Sequence, residues 1–236
     1  MVELTLTDVC THYGTSHILF DVSLTVKRGE VVCLLGRNGA GKTTTIKTIM
    51  GLASASSGAI SFNGHDLLNR PPYEIARLGI GYVPDERLIF PDLSVRENLE
   101  IARKPGVDGA TVDWTVDKVF ELFPALEKLA GNLGGYLSGG EQQMLTVGRT
   151  LMGNPSLLLL DEPVEGVAPI VVRDLGRQIA KLRDMGLTIL LAEQNIKFAT
   201  SIASRAYVIE KGRIRFEGTI DALAENREVK EQYLMI

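Results

Sequence analysis

The stretch VVCLLGRNGAGKT, residues 31–43, constrains this chain more than any other. An unbroken apolar run ends in glycine, and that glycine opens the pattern G-x-x-x-x-G-K-[ST]. Helix-forming residues follow Lys42 and run to Met50, where Gly51 stops them. A strand, a glycine-rich turn and a helix in that order form a cradle for phosphate. Across Gly36, Arg37, Asn38, Gly39, Ala40 and Gly41 the backbone N–H groups can curl inward around phosphate oxygens. The new helix adds its N-terminal dipole and free N–H groups. Lys42 places a point charge near the β- and γ-phosphates, and Thr43, followed by Thr44, offers a hydroxyl to Mg²⁺. Without this context the segment would be a strand-to-helix turn with a chance lysine.

A phosphate cradle alone leaves kinases, GTPases and ATPases open. LLLLDEP, residues 157–163, narrows the choice. Asp161 ends an apolar strand, at the carboxyl edge where ligands sit in open α/β sheets. A carboxylate there can hold Mg²⁺. Glu162, at the same edge, can orient or deprotonate an attacking water. Adjacent strand residues point in opposite directions, so the two carboxylates can have separate tasks.

The remaining pattern is α/β with a mostly parallel core sheet. VVCLLG, PSLLLLDEP and LTILLAEQ are continuously apolar and read as strands buried on both faces. Residues 3–10 and 22–27 alternate, around a turn-like HYGTSH, and predict an antiparallel layer. Ile60 to Phe62 and Ile80 to Val83 are short strands, and YVIEKGRIRFEG is a hairpin about Lys211-Gly212. Helices are expected near 170–185 and 196–203, with a helical insertion carrying ENLEIAR and WTVDKVFELF at 3.6 spacing. The division is one domain, 1–236: a nucleotide-binding lobe of about 1–93 and 155–236, and a helical subdomain of about 94–154. DALAENREVKEQYLMI reads as an amphipathic C-terminal helix, expected to pack on its own domain.

LSGGEQQ, residues 137–143, raises a separate question. Ser138 and Glu141 form the S-x-x-E of a capping box, so a helix starts near Gly139 and runs to Met152. The capping box does not explain two glycines in the first turn, where each costs about 1 kcal/mol relative to alanine. Bare glycines expose an N-terminus already rich in free amides, which makes an anion site. The cradle already grips one face of the nucleotide. This second site is best used on a nucleotide held by another molecule.

With GRNGAGKT, LSGGEQQ and LLLLDEP in this order, nearly the whole chain resembles the ATP-binding subunits of ABC transporters. The resemblance implies a P-loop NTPase fold with an ABC-type nucleotide-binding domain that binds ATP and Mg²⁺. Two such domains meet head to tail, so Ser138, Gly139 and Gly140, with Glu141 beside them, would contact the partner's ATP. Glu162 would be the catalytic base, Lys42 the charge on the phosphates, and Tyr13 the aromatic that stacks on adenine. The metal set would be Thr43, Asp161 and the residue after VP. That residue is Asp85, where the family usually has glutamine. The usual switch histidine is Gln194, which can donate a hydrogen bond to a γ-phosphate but cannot take a proton.

HYG, VPD, EG-x-AP and AEQN together resemble one branch, the second ATPase subunit of branched-chain amino acid importers (LivF-type). ATPases of urea and short-chain amide importers share much of this pattern. The resemblance implies a second ABC ATPase, two transmembrane permeases, an extracytoplasmic binding protein and a place at the cytoplasmic face of the membrane. Leu88, Ile89, Phe90 and Pro91 would grip a permease helix, or else tuck into the chain's own core.

Charge and composition exclude several classes. The net charge is −4, with no basic run, which argues against a nucleic-acid partner. Cys10 and Cys33 stand in apolar runs and read as small buried hydrophobes. The N-terminus lacks a signal peptide's basic and apolar regions. No run of 18 apolar residues occurs, so no transmembrane helix is expected; if the chain works at a membrane, another chain must hold it there. A soluble ABC ATPase of DNA repair or translation usually has two fused halves or long basic insertions; this chain has one P-loop. A regulatory ATP-binding module is the third alternative, opposed by Lys42, Asp161 and Glu162.

Overall fold

Continuously apolar strands need a partner layer on each side, and the six-stranded sheet has both. The structure, a computed structural model, describes residues 2–105 and 112–234. In chain order it begins with β1 (Val2–Tyr13), β2 (Ser16–Lys27), β3 (Val31–Leu35), α1 (Lys42–Ile49), β4 (Ala55–Phe62), β5 (His65–Asp66), α2 (Pro72–Arg77) and β6 (Ile80–Val83). Then come α3 (Val95–Glu100), α4 (Val116–Leu122), α5 (Pro124–Lys128), α6 (Gly139–Leu151), β7 (Leu157–Asp161), α7 (Pro169–Asp184), β8 (Thr188–Glu193) and α8 (Ile196–Ile202). The chain closes with β9 (Arg205–Glu210), β10 (Arg213–Thr219), α9 (Ile220–Glu225) and α10 (Arg227–Val229).

The core sheet has the order β10-β9-β3-β8-β7-β6. Its β9, β3, β8, β7 and β6 run parallel, and β10 pairs antiparallel at one edge. A second sheet, β2-β1-β4-β5, is antiparallel. The pleat divides each core strand between two hydrophobic cores. Val32, Leu34, Leu157, Leu159 and Leu190 face α1 and the antiparallel sheet. Val31, Cys33, Leu158, Leu160, Ile189 and Leu191 face α6, α7 and α8. Each fully buried leucine contributes roughly 1.5–3 kcal/mol. The second core continues from the sheet through Val95, Leu99, Phe120, Leu126 and Leu145, so α3 to α6 share it without a break. Cys10 and Cys33 are buried and unpaired with each other.

Four local readings need correction. HYGTSH is mostly strand: His12 pairs with His17 and Tyr13 with Ser16, which leaves Gly14-Thr15 as the turn. Gly14 takes φ +58°, the left-handed conformation that glycine adopts without a side-chain clash. WTVDKVFELF is helical only from Val116 to Leu122, because Thr115 caps the start and Pro124 begins the next helix. The helical insertion is broken by a loop after α3, and its residues 106–111 lie outside the described ones. The C-terminal segment is not one helix. Asn226 ends α9 and its side chain caps α10 through the N–H of Val229, 3.0 Å away. A π turn, Lys230–Leu234, follows, with Val229 buried against the second core. Residues 235–236 of that segment lie outside the described ones.

Candidate functional site

The cradle forms where β3 runs out of sheet. Gly36 donates its N–H to the carbonyl of Glu193 at 3.3 Å, which anchors the turn to β8. A methyl group on Gly36 would stand 2.5 Å from the carbonyl oxygen of Ile209, so only glycine passes there. Gly41 then starts α1 at φ +114°. The turn surrounds a 250 Å³ cavity lined by Ile18, Gly39, Gly41, Lys42, Thr43, Thr44 and Glu162.

Lys42 is buried at the floor of this cavity. Its Nζ donates to the carbonyls of Gly36 at 2.8 Å and Arg37 at 2.9 Å, and pairs with Glu162 Oε1 at 3.0 Å. Thr43 Oγ1 donates to Asp161 Oδ1 at 3.0 Å. Tyr82, from β6, donates its hydroxyl to Asp161 Oδ2 at 3.4 Å. The two adjacent carboxylates therefore have different partners. Asp161 belongs to β7; Glu162 has left it, at φ +46°, with its N–H on the carbonyl of Ala192 at 2.9 Å.

Negative charge accumulates at this edge. Burial pushes the Asp161 carboxyl up to about 6, opposed by the Thr43 hydroxyl and aided by Asp85 and Glu162. Glu162 raises Glu165, first by accepting a hydrogen bond from the protonated Glu165 carboxyl and then through its charge. Tyr82 is raised by burial and by Asp161 and Asp85. Asp85 is itself exposed and acts on Asp161 through its charge. No preassembled cage of three or more acidic, His or Cys ligands occurs among the described residues. The donor set is one hydroxyl and one buried carboxylate, which suits a cation whose other ligands are substrate phosphate and water.

The switch position lies at the end of β8. Gln194 is exposed. Its N–H and that of Asn195 bond to Glu193 Oε2 at 3.0 and 2.9 Å. Glu193 was not expected from sequence, where it reads only as a strand end. Its carboxyl is buried and Oε1 has no partner among the described residues. Burial, with a smaller push from Glu162, takes it up to about 7 against the pull of the backbone N–H groups. Between about pH 4.5 and pH 7 the native chain holds a proton there that the unfolded chain has released. Stability therefore falls as pH rises through that window. Glu193→Gln keeps an acceptor oxygen and removes the titration. Its stability relative to the parent should rise by up to about 3 kcal/mol from acid to mild alkali. Urea denaturation at both ends of the range measures this, and a constant difference would exclude Glu193 as the source.

The remaining residues expected in the site sit apart. Tyr13 is 47% exposed at the tip of the β1–β2 hairpin, five residues before the Ile18 that lines the cavity. Ser138 caps α6: it accepts the N–H of Glu141 at 3.4 Å, and Glu141 Oε2 accepts the N–H of Ser138 at 2.7 Å. Both glycines have neighbours that a side chain would displace. A methyl on Gly140 would stand 2.8 Å from Val171, and one on Gly139 would stand 2.5 Å from Arg87 Nη1. The first-turn glycines are thus half-buried packing positions as well as bare amides. Asn98 was also missed. It is buried and holds the 87–94 loop through the backbone of Phe90, Leu93 and Ser94. A lone asparagine inside ENLEIAR was its only signal.

The ABC transporter family profile matches residues 19–165, from the hairpin through the cradle and the capped glycines to the paired carboxylates. The chain belongs to the ABC transporter family. It is 45% identical to the high-affinity branched-chain amino acid transport ATP-binding protein BraG of Pseudomonas aeruginosa, over 98% of this chain and 99% of that one. A probable branched-chain amino acid transport ATP-binding protein, LivF of Archaeoglobus fulgidus, is 39% identical over 93% of each chain. The lipopolysaccharide export system ATP-binding protein LptB of Escherichia coli K12 is also 39% identical, over 99% and 98%. Among solved structures, a nucleotide-free ATP-binding cassette from an ABC transporter superposes with a TM-score of 0.83 at 28% identity, covering 98% of both chains. The ADP conformation of MJ1267, another ABC transporter cassette, gives 0.81 at 30% identity, also over 98% of both. The fold is that of an ABC ATPase, and this member of the family binds and hydrolyses ATP.

Proposed function

We propose that this chain is the ATP-hydrolysing subunit of an importer for branched-chain or other hydrophobic amino acids. The observation that carries the reading is end-to-end likeness to BraG, in a chain whose Lys42, Thr43, Asp161 and Glu162 meet at one sheet edge. The LptB likeness favours lipopolysaccharide export as the second reading.

ATP would lie over Gly36 to Thr44, with adenine near Tyr13. Its phosphates would compete with Glu162 and the two carbonyls for the Lys42 ammonium. Glu162, released from that pair, would align a water and take its proton as it attacks the γ-phosphate in line. Thr43 and Asp161 would hold Mg²⁺, with Asp85 in reach through water. Bound there, Mg²⁺ supplies charge neutralisation across the phosphates. Gln194 would donate its amide to the γ-phosphate and report the nucleotide to β8. Ser138, Gly139, Gly140 and Glu141 would cover the nucleotide of a second ATPase subunit.

The helical unit 94–154 would move against the lobe formed by 1–93 and 155–236. Among the described residues no helix is long and apolar enough to cross a membrane. In this reading the energy of hydrolysis would pass to permease chains. Ile89 tucks into the core and Leu88 is exposed, while Phe90 lines a 440 Å³ cleft with Tyr82, Ile101 and Arg149. Arg149 stacks on the Phe90 ring at 4.7 Å. That cleft suits a cytoplasmic permease helix, which would place the chain at the cytoplasmic face of the membrane. Co-purification of the tagged chain from gently solubilised membranes tests this. Two permeases, a second ATPase and an associated amino-acid-binding protein are expected. Lipopolysaccharide-export proteins instead would support the second reading, and recovery as a lone soluble chain would overturn both.

A further inference from the structure

Arg87 touches both the segment after Glu162 and the first turn of α6. Its Nη2 donates to the carbonyls of Glu165 at 2.9 Å and Gly166 at 3.4 Å. Its Nη1 lies over Gly139, at the position a side chain would take. The residue holds φ +23°, a conformation that costs a side-chain-bearing residue energy and so needs support from its contacts.

The charge arrangement is unfavourable within the chain. A helix N-terminus is the positive end of the macrodipole, and a guanidinium set on it meets charge of its own sign. The donors there are also unused. Ser138 and Glu141 satisfy each other's N–H groups, and the N–H of Gln142 bonds to the Ser138 carbonyl. The N–H groups of Gly139 and Gly140, and Arg87 Nη1, have no acceptor among the described residues. The carboxylate of Glu141 is turned back to its own cap and forms no ion pair with the guanidinium. Nη1 therefore sits over the helix turn that carries these free N–H groups, while Nη2 fixes the guanidinium to the backbone.

We propose that Arg87 is a nucleotide-contacting residue that acts in trans: Nη1 donates to the γ-phosphate of the ATP held by the facing ATPase subunit. This rests on the head-to-tail reading of Ser138, Gly139 and Gly140. It adds a charge to a site otherwise made of neutral donors, and it ties that charge to the loop after the catalytic edge. A γ-phosphate arriving at α6 would therefore pull on Glu165 and Gly166 through one rigid group. A planar guanidinium can serve both sides at once, which an ammonium cannot do with the same geometry.

The test uses Arg87→Ala, Arg87→Gln and Arg87→Lys in the full chain and in the transporter complex assembled with it. Binding of a fluorescent ATP analogue to the full chain alone should match the parent, because Arg87 does not touch its own cradle. Turnover of the complex should fall about a hundredfold for Arg87→Ala, the scale of losing one donor aimed at developing charge. Arg87→Gln should be as defective, since its amide can still bond to Glu165 and Gly166 but lacks charge. Arg87→Lys should recover part of the loss. Recovery by Arg87→Gln to within about twofold would reduce Arg87 to a backbone tether, and parental turnover in Arg87→Ala would remove it from the site. Weaker binding to the isolated chain would make the effect local. Gly139→Asp run alongside separates the layers: if it too leaves turnover intact, the head-to-tail reading has failed, not only the part given to Arg87.

Discussion

Glu162→Gln should leave ATP binding intact and cut turnover by a factor of about 10² to 10⁴, the range for loss of a general base. The variant is chosen for its shape. Glutamine can still accept a hydrogen bond from Lys42, whose Nζ lies 3.0 Å from Oε1 in the native side chain. The cradle should therefore keep its form while the proton acceptor is lost. ATP should stay bound through many parental turnover times, seen as nucleotide retained after rapid desalting. Glu165 is the substitute to test, because its carboxyl is raised by Glu162 beside it. It is not in the Lys42 pair, so Glu165→Gln alone should change turnover by less than about tenfold. Near-parental turnover in Glu162→Gln, with loss in Glu165→Gln, would move the base by three positions.

Lys42→Ala should be the most damaging single change, because it acts on both stability and binding. The ammonium is nearly fully buried and satisfies two carbonyls and a carboxylate. Removing one partner of a buried ion pair leaves the other charge without compensation and costs about 3–5 kcal/mol. Nucleotide affinity should fall at least about a hundredfold, as the charge proposed to meet the phosphates is gone. Lys42→Ala with Glu162→Gln separates the two effects. The double variant removes the stranded carboxylate and should recover part of the stability, read by urea denaturation, with no recovery of binding, read by nucleotide titration. Recovery of both would mean that the binding loss came from local unfolding.

Much of this site is legible in the chain because its logic is local. The cradle needs a strand, a turn and a helix within thirteen consecutive residues, and all three are written in residues 31–43. Asp161 and Glu162 follow four consecutive leucines, Leu157 to Leu160, so their place at a sheet edge follows from the pattern. The capping box of α6 is a three-residue spacing that the structure reproduces bond for bond. Runs buried on both faces predicted a parallel sheet between two layers, and the pleat does split Val31 to Leu35 between two cores. Local patterning was less informative for HYGTSH and for the C-terminal segment. There the outcome depended on strand pairing across β1 and β2, and on a single asparagine cap.

By itself, then, the sequence determined the fold class, the phosphate cradle, the paired carboxylates and the capped glycine turn, since each is specified by neighbours a few residues apart. Tertiary structure alone decided which of these groups touch. It placed Lys42 on Glu162 across 120 residues, set Thr43 on Asp161 across 118, and buried Glu193 beside them. It also laid Arg87 over Gly139, across 52 residues. Charge and burial act through space, and the packing of β3, β7 and β8 side by side is what turns distant residues into one electrostatic site.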